Sequence, residues 1–437
     1  VQKRKIAIVG AGISGLGAAW ALKKSGFDLT IYEASNKVGG HMGYYELEKE
    51  GKIERFDGYP GILENSHNLI ALCSQLGVET HTQQIGFYYQ NEHHSWGSTH
   101  HTSFFKNNEV ECARFISLLT DLMERDATME ASAQTFEDFL NYHGFSEEFG
   151  KHIVTPLLGA LMDTDYKLLM KFSPASFAEL FGQKILSFDK PFNMVRFLHG
   201  ISTMIEGLVA FFKDDLLLNT GVVELTRTDD YVQIIDTSKK SIRFDDVIMT
   251  TNFKENLKLI SDMSIMEKNI FGGVEYLSYK QLFHADNSFI PSFFVKDGIT
   301  EIIVNEMGST TSPMANSTRT QFDDVLITAA VNDINVEYTD VIDEKKIVSK
   351  NEYLLEKISP ASILAKSNIR HIQGHNNTWY SGLSVVPGLS EYCFVSGLAV
   401  AERLGAKYPF EDVKEAEAIF KNVKRLMFTG HPSLRFS

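Results

Sequence analysis

The stretch KIAIVGAGISGLGAAW, residues 5–20, constrains this chain more tightly than any other. Lys5-Ile6-Ala7-Ile8-Val9 is a short apolar run closed by a glycine, the pattern of a strand buried on both faces of a parallel sheet. Gly10, Gly12 and Gly15 follow with GxGxxG spacing, and Leu16 to Lys24 reads as a helix. The glycines have physical tasks: a tight turn, close approach of backbone to a pyrophosphate, and close packing of helix on strand. The helix N-terminus offers free N–H groups and a positive dipole end to phosphate oxygens. A second strand, Leu29-Thr30-Ile31-Tyr32-Glu33, ends in an acid 23 residues after Gly10, where a carboxylate meets adenosine ribose hydroxyls. A glycine-rich turn alone recurs by chance, but strand, helix and acid together predict a dinucleotide-binding βαβ unit. Ile13, Ser14 and Ala34 lie within that unit and join the glycines and Glu33 as candidate cofactor contacts.

The residues after Glu33 narrow the cofactor. A nicotinamide-binding unit would go directly into its next helix and strand. Here EASNKVGGHMGYYELEKEGKIERFDGY holds a glycine pair, then a hairpin-like pair of strands, then Asp57-Gly58. This arrangement resembles the FAD-binding signature of the flavin amine oxidase and phytoene desaturase superfamily, in which a glycine pair follows the ribose acid. The resemblance implies FAD and adds Gly39, Gly40, His41, Met42, Gly58 and Tyr59 to the cofactor set. His41 stands where that superfamily usually has arginine. Cys393 lies outside a covalent-attachment context, so the FAD is expected to be non-covalent.

Later stretches extend the resemblance over nearly the whole chain. Val222 to Leu225 (V-x-x-L) is similar to the family strand whose valine backbone pairs with the adenine, which makes Val222 a candidate. Val247-Ile248-Met249, ending in Thr250, is similar to the segment beneath the cofactor. The block IQG…NTWYSG…SGLAVAERLG adds Gly382, Glu391 and Tyr392. In the superfamily its last helix aims its N-terminus at the flavin pyrimidine ring, where the dipole stabilises negative charge. LFHAD, residues 282–286, and that last block resemble bacterial flavoproteins related to the flavin domain of plant cyclopropane fatty acid synthases. Those usually read HTD where this chain has His284-Ala285-Asp286, and HED where it has Ser390-Glu391-Tyr392. SEYCFVS is also similar to polyenoic fatty acid isomerases. Amine oxidases of the superfamily place a lysine near flavin N5; alignment puts Asp286 there, with Lys280 six residues earlier. His284, Asp286 and Tyr380 are the candidate catalytic residues, since their segments should border the ring. Each reads as readily as a strand residue hydrogen-bonded within a sheet.

The expected fold is α/β: an FAD-binding Rossmann-like domain of glutathione-reductase type with an inserted substrate domain of mixed sheet plus helical cap. Residues 1–76, 195–260 and 365–437 are assigned to the first domain. Residues 77–194 and 261–364 are assigned to the second, with the cap at 113–190. Glu79 to Val110 alternates polar and aromatic residues and reads as β structure. His93, His94, His100 and His101 read as a solvated hairpin, because adjacent strand residues point to opposite faces; no metal site is expected. The cap is rich in phenylalanine and leucine (Phe136, Leu157, Phe177, Phe181), suited to a core or to lining a lipid-sized tunnel.

Bulk properties narrow the partners. A chain of 437 residues with 43% hydrophobic content can bury a large core and two domains. The net charge of −14 and the lack of a long basic run exclude nucleic acid as the expected partner. Cys73, Cys112 and Cys393 sit far apart, which fits a reducing, cytoplasmic setting. VQKRK before an apolar stretch imitates a signal peptide, but that stretch carries the dinucleotide glycines. No run reaches the roughly 18 apolar residues of a membrane span, which leaves only transient contact with a membrane surface open. No second GxGxxG occurs, so a built-in pyridine-nucleotide domain is not expected. The expected function is FAD-dependent hydride removal from a carbon of a small, apolar, lipid-like substrate. A double-bond isomerase of polyunsaturated fatty acids and a non-catalytic FAD-binding protein are the alternatives.

Overall fold

The computed structural model describes residues 4–49, 52–57, 61–124, 134–162, 164–286, 299–306, 314–319, 326–332, 343–386 and 388–429. Five strands form a parallel sheet: β1 (Lys5–Val9), β2 (Asp28–Tyr32), β3 (Leu216–Leu217), β4 (Asp246–Met249) and β5 (Thr378–Tyr380), in the order β5-β4-β1-β2-β3. Its strands come from three distant parts of the chain, as an inserted second domain requires. Ile6, Ala7, Ile8, Val247, Ile248 and Met249 are fully buried, which explains why β1 and β4 are continuous apolar runs rather than alternating ones.

Helix α1 (Ile13–Lys24) follows β1 directly, beginning three residues earlier than the sequence reading. It is buried almost all round, so its sequence is small and apolar rather than amphipathic. Helix α2 (His67–Leu76) ends on Gly77 in the left-handed conformation, the expected C-cap. The late helix α3 (Ser390–Arg403) packs on α1 at very short range. A Cβ on Gly17 would lie 2.7 Å from the Phe394 ring, and one on Gly397 would lie 2.1 Å from the Ser14 carbonyl oxygen. Glycine at both positions is what lets the two helix axes approach.

Among the described residues a second sheet has nine strands. It includes Thr80–Gln90, Phe192–Phe197, Tyr276–His284 and Ile347–Glu356. Phe192–Phe197 runs across the position where the sequence divided the two domains, and Ile62–Leu63 pairs with it. The helices at Ser103–Glu124, Phe136–Tyr142, Thr155–Met162 and Ala175–Gly182 form the cap. The β reading of residues 79–110 fails beyond Gly97, because Ser103 already begins a helix. Phe105 and Phe115 turn from one face of that helix into the cap core. There Phe115 packs against Phe136, Phe139, Phe145, Phe149, Phe181 and Phe188. The Phe-rich composition of the cap is thus largely spent on its own interior. No described helix is long and apolar enough to cross a membrane.

Candidate cofactor and active site

The C-terminal ends of β1, β2, β4 and β5 fall in one row, because Val9 pairs with Tyr32 and Met249, and Met249 with Tyr380. Gly10, Glu33, Thr250 and Ser381 therefore leave the sheet side by side, at the edge where open α/β sheets bind their ligands. Gly10 has φ of 107°, and a Cβ there would stand 2.5 Å from Thr250 Oγ1. That hydroxyl donates to the carbonyls of Val9 at 2.9 Å and Gly10 at 3.0 Å. A Cβ on Gly15 would lie 2.1 Å from the Gly10 oxygen. The Gly39 N–H donates to the Ala11 carbonyl at 2.8 Å, and a Cβ on Gly40 would lie 3.1 Å from Gly12 Cα. The two glycine motifs thus touch, backbone to backbone. Gly12 is the N-cap of α1 and no side chain caps it, so the N–H groups of the first turn remain for an anion.

Glu33 stands beside this loop. Its Oε2 accepts the Ala11 N–H at 2.9 Å, and its Oε1 accepts the N–H and hydroxyl of Ser35 at 2.9 and 2.8 Å. These bonds fix the carboxylate and leave Oε2 a lone pair for a ribose hydroxyl. Thr220 N–H donates to the Glu33 carbonyl at 2.8 Å, and Gly221 approaches Ala34. The strand opening at Val222 is thereby brought next to the acid.

At the other end of the row, three buried serines join the elements. Ser14 Oγ meets Ser381 Oγ at 2.8 Å and Ser396 Oγ at 3.3 Å, and Gly382 N–H donates to Ser396 Oγ at 2.9 Å. Gly382, with φ of 101°, lies against Thr250 and Ser14. Helix α3 begins at Ser390 with Leu389 as N-cap, again without a capping side chain. Two uncapped helix ends are thus held together over one sheet edge, and such ends suit the pyrophosphate and the ring of a flavin dinucleotide. The residues present fit that group.

The other candidates divide. Met42 is buried, while the His41 side chain is solvent-exposed; the protein mass around it nonetheless holds its pKa below the ordinary histidine value. Gly58 and Tyr59 lie outside the described residues. Glu391 is buried and turns away from the row: its carboxylate accepts Asn68 N–H and Nδ2–H, both at 2.8 Å, and Leu69 N–H at 3.0 Å. It serves the first turn of α2, and burial pushes its pKa up to about 7. Tyr392 donates its hydroxyl to Glu179 of the cap at 2.7 and 2.6 Å.

The side chains of the three catalytic candidates lie apart from the row. Tyr380 is fully buried, and its hydroxyl donates to Glu267 Oε1 at 2.7 Å within an ion pair with Arg227. It belongs to the sheet interior. His284 and Asp286 sit at the far end of Tyr276–His284, where Asp286 is paired with Lys346 at 2.9 Å and its N–H donates to His284 Nδ1. The opposite end of that strand reaches the loop after Ser381, through the Tyr276 hydroxyl at 2.6 Å from Ser384 Oγ. Eight residues at about 3.3 Å each separate the two ends by roughly 26 Å. His284 and Asp286 thus lie at the end of the strand away from that loop.

Sequence reasoning also missed Glu179, Glu356 and Lys366. Lys366 Nζ is paired with Glu356 at 2.8 Å and donates to the carbonyls of Leu383 at 2.7 Å and Val386 at 3.2 Å, pinning the loop between β5 and α3. Charged residues in a helix and at a strand end carry no motif, so nothing in the sequence marked them. No cluster of three or more metal-ligating side chains occurs among the described residues. His94 instead stacks on Phe104 at 4.1 Å.

The profile of the flavin containing amine oxidoreductase family matches residues 13–269, more than half of the chain. An L-amino-acid oxidase from Mus musculus is 28% identical over 273 residues, 57% of this chain and 42% of that protein. The chain therefore matches well under half of that relative's length. Among solved structures, putrescine oxidase bound to putrescine superposes with a TM-score of 0.70 at 15% identity, covering 92% of this chain and 99% of that one. A CLA-producing fatty acid isomerase from P. acnes gives 0.68 at 16% identity, with 92% and 99% covered. Likeness at such identity speaks for the fold.

Proposed function

Since this chain belongs to the flavin-containing amine oxidoreductase family, we propose that it is an FAD-dependent oxidoreductase that removes a hydride from a carbon of an apolar, lipid-like substrate. The observation that carries this reading is the pair of uncapped helix ends, α1 and α3, set over the row Gly10, Glu33, Thr250 and Ser381. Bound FAD would supply the hydride acceptor at flavin N5, and the chain supplies orientation and electrostatics. Gly10, Gly12, Gly15, Gly39 and Gly40 admit the pyrophosphate, Glu33 orients the ribose, and the N-terminus of α3 favours negative charge on the ring. The partly buried Leu180, Ile358 and Leu389, packed on the cap core, support an apolar substrate.

One observation favours the isomerase as second reading. The stretch SEYCFVS, residues 390–396, which opens α3, is similar to polyenoic fatty acid isomerases. An isomerase returns the hydride to another carbon and needs no oxygen. The test incubates the protein with polyunsaturated fatty acids, aerobically and anaerobically, following flavin absorbance, conjugated-diene absorbance and peroxide. Peroxide in step with product supports the oxidase and excludes the isomerase. Conjugation without oxygen use reverses the choice.

A further inference from the structure

Among the described residues several buried carboxylates face a cation, others take neutral donors, and one of the latter kind lies between the cap and α3. Asp246 is paired with Arg4, Glu267 with Arg227, Asp286 with Lys346 and Glu356 with Lys366. Glu391 takes the N–H groups that open α2, and Asp57 takes the Ile201 N–H within the field of Arg196. Glu179, half-buried in the cap helix Ala175–Gly182, has no cation among the described residues. Its partners are neutral donors: the Tyr392 hydroxyl at 2.7 and 2.6 Å and Gln183 Nε2 at 3.1 Å.

Its position is what sets it apart, since Glu391 and Asp236 are also without an ion pair among the described residues. Tyr392 belongs to the first turn of α3, the helix end assigned to the flavin, and its ring is clamped by Gly388, where a Cβ would lie 2.7 Å away. Leu389 and Leu180, flanking the two partners, are partly buried against the cap core. A half-buried carboxylate without a counter-charge, bridging the cap and the first turn of α3, is costly as a structural feature. It is well suited to gain and lose a proton.

We propose that Glu179 is the proton-accepting group of the substrate site, oriented by Tyr392. This rests on the oxidoreductase reading above. Bound FAD would take the hydride of one carbon with its bonding pair, while the X–H bond of the neighbouring atom breaks. Its proton joins the Glu179 carboxylate, and the pair left behind forms the new double bond. The two electrons the substrate loses would reside on the bound FAD, and Glu179 passes the proton to water at its partly exposed side. Burial pushes Glu179 up to about 7, against the bonds from Tyr392 and Gln183, which places it where a base works at neutral pH. The titratable group facing it from α3 is Tyr392; the neighbouring Glu391 carboxylate is turned to α2.

The test uses holoprotein, with difference infrared spectroscopy of the carboxyl stretch against pH and anaerobic stopped-flow with linoleic acid and cyclohexylamine as probes. A protonated carboxyl band titrating near pH 7, missing in Glu179→Gln and moved upward in Tyr392→Phe, is expected. With a reacting probe, Glu179→Gln should slow flavin reduction by about 100-fold or more, with FAD affinity unchanged and partial rescue by Glu179→Asp. Tyr392→Phe and Glu179→Asp keep the infrared arm decisive if Glu179→Gln folds poorly. No such band, or flavin reduction at the wild-type rate in Glu179→Gln, overturns the proposal. Failure of both probes to bleach wild-type flavin counts against the oxidoreductase reading instead, and the infrared titration still decides on Glu179.

Discussion

At the scale of single residues, two carboxylates with similar sequence credentials have opposite fates. Glu33 closes a strand at the ligand edge and keeps an acceptor site, while Glu391 is spent on the first turn of α2. Replacing Glu33 by Ala should weaken FAD binding about ten- to a hundredfold, roughly 1.5–3 kcal/mol, without unfolding the chain. Equilibrium binding of FAD to the folded variant checks this, and unchanged affinity would mean that the acid does not meet the ribose. His284 makes a prediction of a different kind. It is fully buried, and its pKa is lowered to about 4 chiefly by burial. Between pH 6.5 and 4 the unfolded chain therefore binds a proton that the folded chain refuses, so this contribution is complete above pH 6.5 and lost as pH falls toward 4. Up to about 3 kcal/mol is at stake. His284→Asn keeps an acceptor for the Asp286 N–H and should lose less stability than wild type when denaturant unfolding is compared at pH 7 and pH 5. Equal losses would refute the assignment.

At the scale of elements, what the sequence revealed depended on whether backbone or side chains set the function. The β1–α1–β2 unit was legible because glycine spacing and a terminal acid are backbone requirements with a fixed order. The α3 segment was legible by resemblance, but which way Glu391 points was not. That depends on α2, which is more than 300 residues away in sequence. His284 and Tyr276 share one strand, and a reading by eye of nine alternating residues cannot tell which end meets the cofactor. Residues 103–110 read as β because aromatic spacing in a short window suits either period; the helix won by burying Phe105 and Phe115 together. The crossing of α1 and α3 makes the sharpest element-level prediction. A side chain at Gly397 must push α3 off the Ser14 carbonyl. Gly397→Val should cost about 1–3 kcal/mol or more by overpacking. It should also lower FAD affinity, because both helix ends move. Thermal unfolding and FAD titration read the two effects, and a variant with unchanged affinity would uncouple the crossing from the site.

At the scale of the molecule, the two hydrophobic clusters have different jobs. One surrounds the parallel sheet and its crossing helices; the other fills the cap. The sequence could not separate a cap core from a tunnel lining, since both want phenylalanine and leucine. The rings around Phe115 are packed into one another, so they serve as core rather than as a tunnel lining. The central claim remains that this architecture holds one FAD per chain without a covalent bond. It is tested most directly by the absorbance spectrum of the purified, FAD-reconstituted protein before and after acid precipitation. The account predicts a yellow protein with one flavin per chain, all of it released to the supernatant as FAD. A protein that stays colourless after reconstitution, or flavin that remains in the pellet, would contradict it.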